Sequence, residues 1–160
     1  MNGCLPSAQP DEPRSCVMHT MKGGCHCGNL RVAANLTARP AAYRPRACDC
    51  DFCRKHAAAY VSDPQGSLLI RAGDERAVAR YRQGNGLAEM LLCANCGVLI
   101  GAVYQDERAL YAVVNAQVLD GWQDFGAAQL VSPKTLSGEQ KVSRWLGIWF
   151  SNVTIANLPS

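Results

Sequence analysis

No uninterrupted apolar run in the chain approaches the 18 or so residues of a membrane-spanning helix. The first twenty residues, MNGCLPSAQPDEPRSCVMHT, lack the apolar segment of a secretory signal. A soluble, cytoplasmic protein with no membrane contact is therefore expected. Charge is scarce as well: Asp, Glu, Lys and Arg make up 18% of the chain, below the roughly 25% usual in soluble domains, and the formal net charge is only +3. The longest compact basic group, Arg54-Lys55-His56, is too short to form a stripe that tracks phosphates, which excludes nucleic acid as an expected partner. Internal repeats and low-complexity tracts are lacking too, and no shift in composition marks a second domain.

What is present is enough for one core. The 160 residues are 48% hydrophobic, a length and composition that suit a single domain. We read residues 1–20, rich in Pro, Ser and Asp, as a flexible N-terminal tail, with Met18 and Met21 as alternative starts, and residues 21–160 as the domain. In LRVAANL, Leu30, Val32, Ala34 and Leu36 fall on one side, the alternation of a half-buried strand. Further strands are expected at Leu68 to Arg71, Ala77 to Arg82, Leu87 to Leu92, Val98 to Tyr104, Leu110 to Val114 and Gln129 to Ser132. Turn residues at Gly73-Asp74, Gly84-Asn85-Gly86, Asp106-Glu107 and Asp120-Gly121 separate most of them, which predicts a mainly β, mostly antiparallel domain. Ala38 to Ala47 reads as a solvated, Pro-containing connector. Near the C-terminus the period changes: Ser137 and Gln140 form a capping-box pair, and Val142, Trp145, Leu146 and Trp149 recur at helical spacing. One amphipathic helix over 138–150 follows, its Trp residues read as core.

The exceptional feature is nine cysteines. A reducing compartment disfavours structural disulfides and favours metal or redox chemistry. Cys4 and Cys16 are read as free thiols in the tail. The other seven come as Cys25-x-Cys27, Cys48-x-Cys50-x2-Cys53 and Cys93-x2-Cys96. Two pairs from distant turns make a closed tetrahedral zinc site, and Cys25, Cys27, Cys93 and Cys96 suit it, with Gly23-Gly24, Gly28 and Gly97 letting the backbone bend around the sulfurs. Such a site contributes roughly 10–16 kcal/mol of apparent binding free energy, against roughly 2–4 for a disulfide.

Cys48, Cys50 and Cys53 remain as three thiolates on one turn. Zinc with three protein ligands keeps a fourth position open, the arrangement of catalytic sites. Three thiolates leave a formal charge of −1, so the site suits an exogenous thiol held as thiolate better than a water. Orientation must then supply much of the catalysis. Arg46, Arg54 and Lys55 are candidates to balance the site charge and receive a substrate carboxylate, or else are solvated surface charges. His56 is open to three roles: a ligand that closes the site, an acid/base or substrate contact, or packing. His26, between two cysteines that face the metal, is expected to point away from it.

The segments GGCHCGNLRV, ACDCDFCRK, LLCANCGVLIG and YAVVNAQVLDG, from about Lys22 to Gly121, resemble the successive motifs of the glutathione-dependent formaldehyde-activating enzyme family, which includes the centromere protein V group. The resemblance implies a zinc-containing β-tent of short antiparallel sheets with two zinc ions, one structural and one catalytic. It also implies a carbon–sulfur lyase activity that joins glutathione, or another small thiol, to formaldehyde or another small aldehyde. By position, Cys25, Cys27, Cys93 and Cys96 match the structural-zinc ligands, and Cys48, Cys50 and Cys53 the catalytic set. The chain departs from the family at Asp49 and Asp51, where His and Ser are common, making the turn more negative. Two other readings stand beside it. One is a non-catalytic zinc module or glutathione carrier with a closed second site. The other takes CANCGVLIGAVY as a sulfoxide reductase motif, which Leu99 and Ala102, in place of histidines, and the lack of a later cysteine argue against.

Overall fold

The alternation of LRVAANL forms a strand with Leu30, Val32, Ala34 and Leu36 buried and Arg31 exposed. The structure is a computed structural model and describes residues 17–157. Cys4 and Cys16 lie outside the described residues. In chain order the elements are β1 (His19–Gly24), β2 (Leu30–Leu36), β3 (Arg46–Cys48), α1 (Asp51–Lys55), β4 (Ala59–Val61), β5 (Ser67–Ala72), β6 (Val78–Arg82), β7 (Glu89–Cys93), β8 (Leu99–Gln105), β9 (Leu110–Asn115), β10 (Gln129–Val131), α2 (Gly138–Ile148) and β11 (Asn152–Ala156), with short 3-10 turns between several of them.

The chain is mainly β, in two sheets. The smaller has strand order β1-β2-β5-β11 and the larger β10-β3-β4-β9-β8-β7-β6. Neighbours are antiparallel except β11 beside β5 and β10 beside β3, two parallel pairs that bring the end of the chain back onto earlier strands. One core cluster fills the space between the sheets, with Leu30, Leu36, Leu68 and Ile70 from one side and Leu91, Ile100 and Val114 from the other. A second lies on the far face of the larger sheet, where Met90, Ala102 and Val113 meet Trp145 of α2 and Trp149, which caps it. With cover on both faces, β8 reads as a continuous buried run rather than an alternating one.

Several expected boundaries shift. β1 starts at His19, inside the segment read as a tail, because its backbone pairs residue for residue with β2. Ala77 closes a 3-10 turn initiated by the Asp74 side chain, so β6 starts one residue later than expected. Leu87 turns its N–H toward Asn85 Oδ1 (3.3 Å) and stays out of β7. The helix carries the expected capping box between Ser137 and Gln140, and ends at Ile148 rather than 150.

The connector 38–47 is tied down rather than simply solvated. Asp63, 5% exposed, accepts from Thr37 N (2.8 Å), Thr37 Oγ1 (2.7 Å) and Tyr43 Oη (2.6 Å) through Oδ2, and from Gln65 N (2.9 Å) through Oδ1. Tyr43 Oη in turn accepts from Ala38 N at 3.1 Å. The anchored connector delivers Arg46 to Cys48 into the large sheet, where β3 pairs with β4 and β10. Among the described residues no helix is long and apolar enough to cross a membrane.

Candidate metal centres and the cavity beside them

The seven described cysteines are free thiols and gather into two groups, Cys25 with Cys27, Cys93 and Cys96, and Cys48 with Cys50 and Cys53; within each group the sulfurs lie within 4.8 Å of one another. A tetrahedron of sulfurs about 2.3 Å from a zinc ion has edges of about 3.8 Å. The Cys25–Cys27 and Cys27–Cys93 sulfur pairs stand 3.6 and 3.5 Å apart, and the donor sets are those zinc takes.

The first group joins the β1–β2 and β7–β8 turns. Leu30 N donates to Cys25 Sγ at 3.2 Å, and the second turn closes through Gly97 N to the Cys93 carbonyl at 2.8 Å. Gly28 and Gly97 stand at φ +81° and +76°, the left-handed region that lets each turn reverse at once after its sulfurs. Burial pushes the Cys93 thiol up to about 12, while N–H groups of Cys27 and Val98 pull Cys96 down to about 6. His26 is exposed, as expected of a side chain turned away from the sulfurs.

The second group is built by the short helix α1. Cys48 ends β3, and Cys50 is the N-cap of α1, its sulfur accepting from Cys53 N at 3.5 Å. Cys53 is buried within α1, its sulfur 3.2 Å from Tyr60 Oη. A hydrogen bond from Cys53 draws the Cys48 thiol down to about 6; the same bond, with burial, pushes Cys53 up. Burial also raises Tyr60, so that its hydroxyl keeps its proton.

His56 is not part of either group: it caps the C-terminus of α1 with its ring 4.7 Å from that of Phe52. Arg54 and Lys55 are exposed, because one residue of helix is about 100° of rotation and Cys53 already takes the inward position. Asp49 does not burden the site with an unpaired charge. Its carboxylate accepts from Ser132 Oγ (2.6 Å) and pairs with Lys134 (3.2 Å), the first of which holds it below the usual carboxylate range. Asp51 is exposed in the first turn of α1, where negative charge is favourable.

Cys48, Cys50 and Cys53 line a cavity of about 270 Å³. Arg46, two residues before Cys48 on the same strand face, reaches into it and donates to Ser62 Oγ (2.5 Å), which donates to the Ile148 carbonyl (2.6 Å). Burial lowers the Arg46 guanidinium to about 10, with Arg144 nearby adding repulsion. Lys134, Lys141 and Arg144 also line the cavity, and Arg144 has no ion-pair partner among the described residues. The sequence reading found Arg46 but missed these three cations, along with Tyr60 and the role of Trp145 and Trp149 as cavity wall as well as core. Only the helical period of 142–149 hinted at which side chains of α2 would face inward.

Residues 20–135, well over half of the chain, match the family model for the glutathione-dependent formaldehyde-activating enzyme. Among solved structures, the crystal structure of a Rhodobacter sphaeroides protein is similar, with 26% sequence identity and a TM-score of 0.55 over 69% of this chain and 100% of that one. Both sulfur groups fall within the matched span, and the chain belongs to the glutathione-dependent formaldehyde-activating enzyme family.

Proposed function

We propose that the protein is a zinc-dependent carbon–sulfur lyase of the formaldehyde-activating type, adding a small thiol such as glutathione to a small aldehyde at Cys48, Cys50 and Cys53. The observation that carries this reading is that three gathered cysteines, and no fourth protein ligand among the described residues, line a cavity able to admit a thiol. A zinc ion held there would keep an incoming thiol as thiolate, raising its reactive fraction from roughly a few per cent at neutral pH to nearly all. Cys25, Cys27, Cys93 and Cys96 would hold a second, structural zinc that clips two hairpin turns together.

The chain's own residues supply the rest. Arg46 offsets the negative charge of three thiolates from a position fixed by Ser62. Arg144 and Lys141 offer the cavity positive charge for the carboxylates of a peptide thiol, while Lys134 is already paired with Asp49. Tyr60 holds a proton at Oη beside Cys53 Sγ and would donate to that sulfur, once it is a thiolate, without adding charge. In the reaction a sulfur–carbon bond forms, the carbonyl π pair moves to oxygen, and that oxygen takes up one proton, equal to the one the thiol released on binding.

Metal content and turnover test the reading together. Wild-type protein is expected to carry two zinc ions per chain and to consume aldehyde in a thiol-dependent way above the uncatalysed background. Cys50→Ser is expected to keep its fold, retain one zinc and lose turnover. Unchanged turnover in Cys50→Ser would overturn the assignment.

A further inference from the structure

The cavity beside the three cysteines is larger than a one-carbon aldehyde needs. It measures about 270 Å³, where about 10–15 Å³ on the same measure admits one water. Its lining is also divided in character. Met90, Ala102 and Val113 form a cross-strand row on neighbouring strands β7, β8 and β9, and Tyr60, Trp145 and Trp149 extend that row into one buried apolar wall. Trp145 and Trp149 stack with ring centroids 4.8 Å apart. The rest of the lining adds Ala88, Val131 and Pro133 to the apolar share and sets against it the cysteines, the 83–85 turn and four cations, Arg46, Arg144, Lys141 and Lys134.

A peptide thiol carries carboxylates, an ammonium group and amides, and each would lose water without gaining a partner on that wall. Such a thiol belongs on the cationic part of the lining, which leaves the apolar part to the electrophile. Trp145 and Trp149 also lie beyond residues 20–135, so the wall is completed by a segment outside the span matched to the family.

We propose that the aldehyde bears an apolar, ring-sized group that lies against Trp145, Trp149 and the Met90–Ala102–Val113 row, with its carbonyl carbon toward the three cysteines. This inference rests on the thiol-addition reading above. The step is unchanged in balance: the thiolate sulfur bonds to the carbonyl carbon, the π pair passes to oxygen, and one proton is taken up to give the hemithioacetal.

The experiment uses the zinc-loaded full chain with glutathione fixed and formaldehyde, propanal, hexanal and benzaldehyde compared. kcat/KM is expected to rise about fourfold per buried methylene, with benzaldehyde well above formaldehyde. Ala88→Phe at the lining and Ala102→Leu in the wall are expected to lower the benzaldehyde-to-formaldehyde ratio at least tenfold, with circular dichroism confirming the fold of each. Independently of turnover, 4-nitrobenzyl alcohol is expected to quench tryptophan fluorescence without thiol, and to do so less in Ala102→Leu. Formaldehyde as the best substrate, with no quenching, overturns the inference and leaves thiol addition standing. A gain with chain length along a series of thiols rather than aldehydes also overturns it, by assigning the wall to the thiol. No turnover with any aldehyde, while ring binding persists and falls in Ala102→Leu, supports the apolar-ligand wall and ends the thiol-addition reading.

Discussion

Tyr43→Phe and Asp63→Ala test whether a single buried carboxylate fixes the connector that carries β3, and with it Arg46 and Cys48, into place. Tyr43→Phe removes one hydrogen bond to a charged acceptor, a loss of about 1.5–3 kcal/mol, and takes away the acceptor of the half-buried Ala38 N as well. Asp63→Ala leaves four donors behind, Thr37 N, Thr37 Oγ1, Tyr43 Oη and Gln65 N. Thr37 and Tyr43 are only half-buried, so water reaches part of the vacated site, and a total of about 3–5 kcal/mol is expected rather than the full sum. Urea unfolding of the zinc-loaded protein at pH 7 reads both, as a lower midpoint at unchanged slope. Acid adds a second reading. Burial alone would raise the Asp63 carboxyl, but donors from Tyr43, Thr37 and Gln65 outweigh it and hold the group below its usual range. A depressed folded value means that the stabilisation is complete above the unfolded value of about 3.9 and is lost as pH falls through the folded one. The gap between wild type and Asp63→Ala therefore narrows as pH drops past about 4; loss of metal in acid affects both proteins and cancels in the difference. A Tyr43→Phe midpoint within about 0.5 kcal/mol of wild type, or a gap that stays constant to pH 3, would refute the anchoring role.

Arg144→Gln is expected to raise KM for glutathione with little change in kcat, an effect that added salt diminishes; a KM indifferent to both removes Arg144 from thiol binding. A methyl group at Gly23 would land on the Val118 carbonyl oxygen and within 2.8 Å of the Leu119 Cα, both backbone, so Gly23→Ala should cost about 1–3 kcal/mol or more in thermal or urea unfolding. Ser137→Ala removes the N-cap of α2 and is expected to cost about 1 kcal/mol by the same assay, with Ser137→Asp recovering most of it.

The parts of this molecule legible in its sequence are those encoded by local period or spacing. Leu30 to Leu36 alternates because one face of β2 is buried, and of the helical recurrence at Val142, Trp145, Leu146 and Trp149 the two tryptophans are buried and Val142 half-buried, while Leu146 faces solvent. The division of the cysteines into four and three could be read from the two short spacers and the turn glycines, and the structure gathers those same sets. Strands β3 and β4, at three residues each, are too short to show a period, and their pairing is imposed by the Asp63 anchor and by β9. β11 pairs in parallel with β5 from more than eighty residues away, a partnership no local pattern announces. The cavity cations were illegible for the same reason. Arg54 and Lys55 are adjacent to the cysteines in sequence but rotate outward on α1, while Arg144 arrives from a helix some ninety residues on.

The passage from α2 into β11 fixes more than chain direction. Phe150, fully buried, exchanges two backbone hydrogen bonds with Ala112 (3.0 and 3.1 Å), and the chain then continues as the outer strand of the opposite sheet. The wall formed by Trp145 and Trp149 is thus strapped at one end to β9 and beyond that to β5, and it cannot swing aside without unzipping a sheet on the far side of the molecule. Guests must accept the shape they find. Little ordering is left to be done on arrival, so affinity is governed by fit to a preformed mould rather than by adaptation of the host.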